Sequence, residues 1–147
     1  MSTNSMIIAK DEDGIYRGIY SHWDGYIEGN GAILNKYYTN LSKINKLINL
    51  GSVSSLTPEV PDTKDFLNNE NGASCISLFS SVKSIINEYK DDIFIEYIYI
   101  FEDNTWSVMV NNGETLGDIV PLDLALSLLH SGNMDKLISL TGSNIVS

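Results

Sequence analysis

The chain of 147 residues is 43% hydrophobic and 10% aromatic, which suits one domain with a core of ordinary size. Nineteen acids against nine bases give a formal net charge of -10 at pH 7 and a pI near 4.4. Binding to a nucleic-acid backbone or to an anionic membrane requires clustered Lys and Arg, so this composition argues against both kinds of partner.

The first half of the chain predicts a β-hairpin followed by helices. Residues 6–10 and 15–20 form two short strand-like runs, and the acidic segment 11–14 between them ends in a glycine suited to a turn. Apolar residues then recur at steps of three and four, which is the spacing of one helical face. They are Ile33, Leu34, Tyr37, Tyr38, Leu41, Ile44, Leu47 and Ile48. We expect residues 39–42 to divide this region into two helices, because Thr, Asn and Ser favour capping positions.

Helical spacing returns in the second half of the chain. Residues 75–79 have the pattern of a short strand, and a helix is predicted after them that ends near Lys90. Residues 122–129 and 134–140 predict two further helices, separated by Gly132.

The strongest β-pattern lies between these helical segments. Residues 94–101 and 106–110 are rich in aromatic and β-branched side chains, and Asp103 and Asn104 suit the tight turn between them. The first run is apolar on both faces except at Glu96, so we expect a central strand that is covered on both sides. Together the elements predict an α+β fold with helices packed on an antiparallel sheet of about four or five strands.

The chain is expected to form a single compact domain over residues 1–147. The segment 51–72 is rich in Ser, Thr and Asn and predicts a flexible surface connection. A single cysteine, Cys75, has no internal disulfide partner, the N-terminal residues lack a secretion signal, and no apolar run approaches the roughly 18 residues that span a bilayer. These features predict a cytoplasmic location.

Charge is distributed unevenly along the chain. Residues 91–135 contain nine acids and no Lys or Arg, whereas residues 31–57 contain three lysines and no acid. Surplus charge of this kind commonly serves solubility alone. The functional interpretation is an acidic face that binds a basic protein surface. Its candidate residues are Asp91, Asp92, Glu102 and Asp103.

Residues 20–31 are the most unusual segment, since they combine aromatic residues, a histidine, acids and glycines between a strand and a helix. The candidate binding residues of this loop are Tyr20, His22, Trp23, Asp24, Tyr26 and Glu28. A structural interpretation competes with binding and is the commoner outcome for such a turn. In it, Trp23 and Tyr26 fill the edge of the core, Asp24 bonds to backbone amides and Gly25 takes a positive φ.

The same segment carries a family resemblance. The run Tyr20-Ser21-His22-Trp23-Asp24-Gly25-Tyr26, followed by Glu28-Gly29-Asn30-Gly31 and a helix, resembles a family of small phage and bacterial proteins without a settled activity, and the hairpin at 96–106 is also similar to theirs. The resemblance implies an origin in a mobile element and transfers no catalytic role. This chain differs from the family pattern at Ile27, where proline is common, and at Asn30, where an aliphatic residue is common.

Other chemistries are weakly supported by the residue patterns. His22, Asp24 and Glu28 are suitable metal ligands, but their spacing matches no established motif, so no metal is predicted. Cys75 could act with His22 or His130 as a thiol-imidazole pair, although a cysteine beside apolar residues is usually a buried hydrophobe.

A phosphate-binding loop is a further alternative, because three glycines precede the first helix. Neither the dinucleotide spacing nor the phosphate-loop lysine is present. In this interpretation Trp23, Tyr26 or Tyr16 stacks on a base while helix amides receive the phosphate.

The sequence completes no catalytic constellation and no cofactor fingerprint, so we predict neither an enzyme nor a cofactor. The first functional hypothesis is a non-enzymatic, acidic, phage-type interaction protein that binds and inhibits a host protein with a basic surface, as an anti-defence factor of the anti-CRISPR kind. The alternative is a sequestering protein that binds a small nucleotide or signalling metabolite through the loop 20–31.

Overall fold

The computed structural model describes residues 2–60, 75–112 and 115–142. Its strands are β1 (Ser5–Lys10), β2 (Tyr16–Ser21), β3 (Ser77–Phe79), β4 (Tyr97–Glu102), β5 (Thr105–Val110) and β6 (Val120–Pro121). They form one six-stranded sheet in the order β3-β2-β1-β4-β5-β6. Neighbouring strands are antiparallel except β1 and β4, which are parallel.

The helices are α1 (Ala32–Tyr37), α2 (Leu41–Ile48), α3 (Val82–Tyr89), α4 (Leu122–His130) and α5 (Met134–Thr141), and a π-helical turn (Ile27–Gly31) precedes α1. The break expected at residues 39–42 is confirmed, since the Asn40 side chain caps α2 by accepting from the Lys43 amide. At α3, Ser81 and Ser84 cap each other's backbone amides. These side chains accept hydrogen bonds from backbone amides that would otherwise be unpaired at the start of a helix.

Strand β4 separates two apolar cores. Its side chains alternate: Tyr97, Tyr99 and Phe101 enter the larger core beneath α1, α2, α4 and α5, while Ile98 and Ile100 enter a smaller core with α3. The expectation of a central strand covered on both sides is therefore confirmed, and so is the α+β class. The structure corrects one detail, because the sheet has six strands and one parallel pair instead of being wholly antiparallel. The long connection through α3 is what allows β4 to return parallel to β1.

The two hairpins differ in how they turn. Between β4 and β5 the predicted residues Asp103 and Asn104 both adopt positive φ, at 53° and 62°, as a two-residue turn with matching strand twist requires. Between β1 and β2, the Asp11 carboxylate accepts from the amides of Asp13 and Ile15 and fixes a wider turn.

Part of the connection predicted at 51–72 lies outside the described residues, namely 61–72. The described part, residues 51–60, runs beside β2, where the Val53 amide donates to the Tyr20 carbonyl at 2.9 Å. Among the residues that the structure describes, none of the helices is both long and apolar enough to cross a bilayer.

Candidate functional site

The loop that follows β2 is bound to the rest of the molecule through its backbone. The amide of His22 donates to the Val53 carbonyl at 3.1 Å, and that of Trp23 donates to the Ser54 carbonyl at 2.9 Å. On the opposite side, the Gly25 amide donates to the carbonyl of Thr3 at 2.8 Å. The loop is therefore held between the segment before β1 and the segment after α2.

A buried asparagine holds the centre of the loop. Asn30, which is 1% exposed, donates through Nδ2 to the hydroxyls of Ser5 and Ser21 at 3.2 and 3.0 Å and to the Trp23 carbonyl at 3.2 Å. Its backbone amide donates to the Asp24 carbonyl at 2.7 Å. Buried polar groups of this kind are stable only when paired, so the π-helical turn that carries Asn30 and the loop fix each other's position.

Tyr99 supports the loop from beneath. Its hydroxyl donates to the Gly25 carbonyl at 2.6 Å, and burial raises the pKa of Tyr99 well above its usual value, which keeps the hydroxyl protonated as a donor. A Cβ at position 25 would lie 2.7 Å from the Thr3 carbonyl oxygen, so glycine is required there by close approach. The sequence-based expectation of a positive φ at Gly25 is wrong, because Asp24 takes that conformation, with φ 58°.

The loop presents its aromatic side chains to solvent. Trp23 and Tyr26 are each 44% exposed, which corrects the expectation that they fill the edge of the core. The partly exposed His22 ring packs edge-on against Trp23 with centroids 4.6 Å apart, and the Tyr20 hydroxyl lies 2.8 Å from His22 Nδ1. Asp24 and Glu28 are exposed as well. All six candidate loop residues therefore reach the surface at least in part.

The other chemistries considered for this loop find little geometric basis. Within the described residues no three His, Cys, Asp or Glu side chains are grouped closely enough to hold a metal ion. The amides of Gly29 and Gly31, which a phosphate would need, already donate to the Tyr26 carbonyl. Tyr16 is buried at the other end of β2 and is not available for stacking on a base together with Trp23.

The four acidic candidates lie at two ends of the sheet. Asp91 and Asp92 precede β4, whereas Glu102 and Asp103 lie at its other end. Five residues separate Tyr97 from Glu102, so the two ends of the strand are about 17 Å apart at about 3.3 Å per residue. Because β1 runs parallel to β4, the acidic turn 11–14 lies beside Glu102 and Asp103. We call residues 11–14 and 102–104 the hairpin end, and residues 22–28 and 91–96 the loop end.

Two apolar residues at the loop end were missed by sequence reasoning. Ile93 and Phe94 are 63% and 70% exposed, because the chain turns here and β4 begins only at Tyr97. The turn is fixed by the Asp92 carboxylate, which accepts from the Phe94 amide at 2.9 Å. The signal available in the sequence was Asp92, an acid two residues before Phe94, which is a position from which a side chain can bond to the backbone of a turn.

A groove of about 780 Å³ between α1 and α4 was also missed. It is lined in part by Asp123, Ser127 and His130, whose spacing places them on one face of α4. Asp123 accepts a hydrogen bond from Asn35 at 2.7 Å, and none joins the three groove side chains to one another in the described structure. Nor does a hydrogen bond join Cys75 to either histidine among these residues, so neither set forms a proton relay.

The described residues thus define a small α+β protein whose mixed sheet carries an aromatic loop at one end and acidic turns at both. Comparison with protein-family models, with curated proteins and with solved structures finds no match. Function is therefore inferred from the geometry and charge of this chain.

Proposed function

We propose that this protein is a non-enzymatic interaction protein that binds a partner protein through acidic surface. The partner is a host protein with a basic surface, and binding inhibits it by covering that surface. The resemblance to phage proteins favours a host target, and an anti-defence role of the anti-CRISPR kind follows from that context.

The observation that carries the proposal is the surplus of acids without a cation partner at exposed turns. Among the described residues two ion pairs form, Lys10 with Glu102 at 3.3 Å and Lys43 with Glu59 at 3.7 Å. Asp91 and Asp103 are exposed, and neither forms an ion pair with a cation in the described part of a chain whose net charge is -10. Such charge steers association with a basic surface and selects against acidic ones.

The arrangement of nucleophiles and bases also supports a binding role. His22 is engaged by the Tyr20 hydroxyl and by the Trp23 ring. His130 ends α4 in a groove, and among the described residues no acid or nucleophile is hydrogen-bonded to it. General-base catalysis requires a base within hydrogen-bond reach of the group that it activates.

Capture of partners from a bacterial host lysate on the immobilised protein tests the proposal. The wild-type protein is expected to retain basic polypeptides at about 0.1 M salt and to release them at about 1 M, where the Debye length falls from about 10 Å to about 3 Å. A variant with four charge reversals is expected to lose this capture. The reversals are Asp91→Lys, Asp92→Lys, Glu102→Lys and Asp103→Lys.

The control reverses Asp118 and Asp135, which are exposed acids of the same sequence region but lie at other places in the fold. It is compared with the double variant Asp91→Lys with Asp103→Lys, which has the same net charge. This control is expected to retain most of the capture. Undiminished capture by the four-residue variant, with its fold verified by circular dichroism, would reject acidic recognition.

The exposed rings of Trp23 and Tyr26 favour one second candidate, a small-molecule binder that stacks an aromatic base. Thermal-shift screening with nucleotides distinguishes it from the first. A nucleotide at about a hundred times its Kd should add about 2.7 kcal/mol of stability to the wild-type protein and nothing to Trp23→Ala.

A further inference from the structure

We propose that the loop end is the partner-binding surface, with Trp23 and Phe94 as apolar anchors and Asp24, Asp91 and Asp92 as the contacts for Lys or Arg. This inference rests on the proposed function and assigns its site. The partner segment is a protein surface in which an exposed apolar side chain is flanked by basic residues.

The two segments of the loop end are neighbours in the fold. Residues 3 and 4, which lead into β1, lie between them. On one side the Thr3 carbonyl accepts from Gly25, and on the other the Asn4 side chain donates to the Phe94 carbonyl at 3.1 Å. The Glu96 amide also donates to the Asn4 carbonyl at 3.1 Å. Backbones on either side of one strand are about 10 Å apart, a distance that one partner segment spans easily.

Both segments are held by a buried asparagine. Asn30 holds the loop, as described above, and Asn111 donates through Nδ2 to the carbonyls of Tyr89 and Asp92 at 2.8 and 3.0 Å, which fixes the turn before β4. The exposed rings of Trp23 and Phe94 thus project from rigid backbone. Preorganised aromatic side chains lose little conformational entropy on binding and are the commonest energetic centres of protein interfaces.

Charge at the loop end restricts what can cover these rings. Asp24, Glu28, Asp91, Asp92 and Glu96 lie in the two segments, and among the described residues Lys90 is the cation next to them in sequence. A second copy of this chain would bring like charges together, and an anionic lipid surface or a nucleic acid would be repelled in the same way. A basic protein surface complements both the apolar rings and the acids around them.

The hairpin end lacks this combination. Glu102 is paired with Lys10, and residues 11–14 and 102–104 include no aromatic side chain that could act as an anchor. The exposed apolar side chain that follows residues 11–14 in sequence is Ile15, at 39%. The hairpin end therefore provides a matched negative control within the same molecule.

Site-specific photo-crosslinking in host lysate tests the assignment. The photoreactive residue p-benzoyl-phenylalanine replaces Phe94 in one full-length protein and Ile15 in another. We expect a crosslinked partner at position 94, with Lys or Arg flanking the crosslinked partner residue, and no such partner at position 15. Trp23→Ala is expected to lower the yield at position 94 about tenfold or more, as removal of an interface anchor does.

Charge variants complete the test. Asp91→Lys with Asp24→Asn should abolish the crosslink, whereas Glu102→Lys with Asp103→Lys should leave most of it. Asp92 is kept in this variant, because its carboxylate fixes the turn that carries position 94. Crosslinking at position 15 alone, capture without a crosslink at 94, or adducts at 94 with lipid or with a second copy would overturn the surface assignment while leaving salt-sensitive capture intact. If the wild-type protein shows no salt-sensitive capture at all, the proposed function itself is overturned.

Discussion

Replacement of Asn30 by alanine tests whether the aromatic loop depends on its buried amide. Asn30 Nδ2 is the donor for three acceptors, and the side chain is almost completely buried. Alanine removes the donor while leaving the acceptors in place. Ser5 and Ser21 are register partners on β1 and β2, so their hydroxyls can rotate and bond to each other. The Trp23 carbonyl does not gain a replacement partner in this way.

The expected loss of stability follows from that carbonyl and from the vacated space. A buried polar group left without a partner costs about 1 to 3 kcal/mol, and the cavity adds to this, so we expect a total of about 2 to 3 kcal/mol. At about 2 to 4 °C per kcal/mol for a domain of this size, Tm should fall by about 4 to 12 °C.

Urea unfolding followed by tryptophan fluorescence measures the loss, since the buried Trp106 reports on the larger core. Asn87→Ala on the exposed face of α3 is the control and is expected to change stability by less than about 0.5 kcal/mol. Hydrogen exchange should accelerate at residues 22–30 in Asn30→Ala and stay slow in β4. A loss equal to that of the control, or one without faster exchange in the loop, would refute the assigned role of Asn30.

Three further predictions concern single features of the fold. Tyr99→Phe leaves a loop carbonyl unpaired and should cost about 1 to 3 kcal/mol in urea unfolding, whereas the exposed Tyr37→Phe should have little effect. Asn104 has φ 62°, a conformation that Asn tolerates through local hydrogen bonds of its side chain and that Gly adopts freely. Asn104→Ala should therefore lower the unfolding free energy by about 1 kcal/mol, whereas Asn104→Gly should not. Burial raises the pKa of Tyr38 and of Tyr97 to about 12. Because phenols in the unfolded chain titrate near pH 10, stability should be complete below about pH 10 and fall as the pH rises toward 12; urea unfolding across this range would contradict the reasoning if stability stayed constant.

Local patterns predicted much of the fold because the relevant interactions are local. The helix break at Asn40 and the turn at Asp103 and Asn104 depend on side chains within a few residues of each other, and both were predicted from their types. Period-two alternation could not be read in β4, yet its apolar character on both faces identified a central strand.

The parallel pairing of β1 with β4 could not be predicted from local patterns. These strands are joined through a long connection, and nothing within either strand specifies the direction of a distant neighbour. Strand β6 has two residues, which is too short for any periodic signal. The exposure of Trp23 and Phe94 was missed because an aromatic residue beside a strand is usually buried. Long-range bonds, among them those of Asn30 and Asn111, help to hold these two segments outward.

These long-range bonds also change how the acidic surplus is interpreted. Along the sequence the acids from Asp91 onward resemble one face, but β4 divides them between two ends of the sheet. Charge alone would give both ends the same attraction for a basic protein, because screened electrostatic forces discriminate poorly between similar surfaces. The exposed aromatic rings distinguish the two ends, since burial of apolar surface supplies affinity that charge steering does not. Specific recognition is therefore expected where both occur together, at the loop end, with the hairpin end contributing to long-range attraction only.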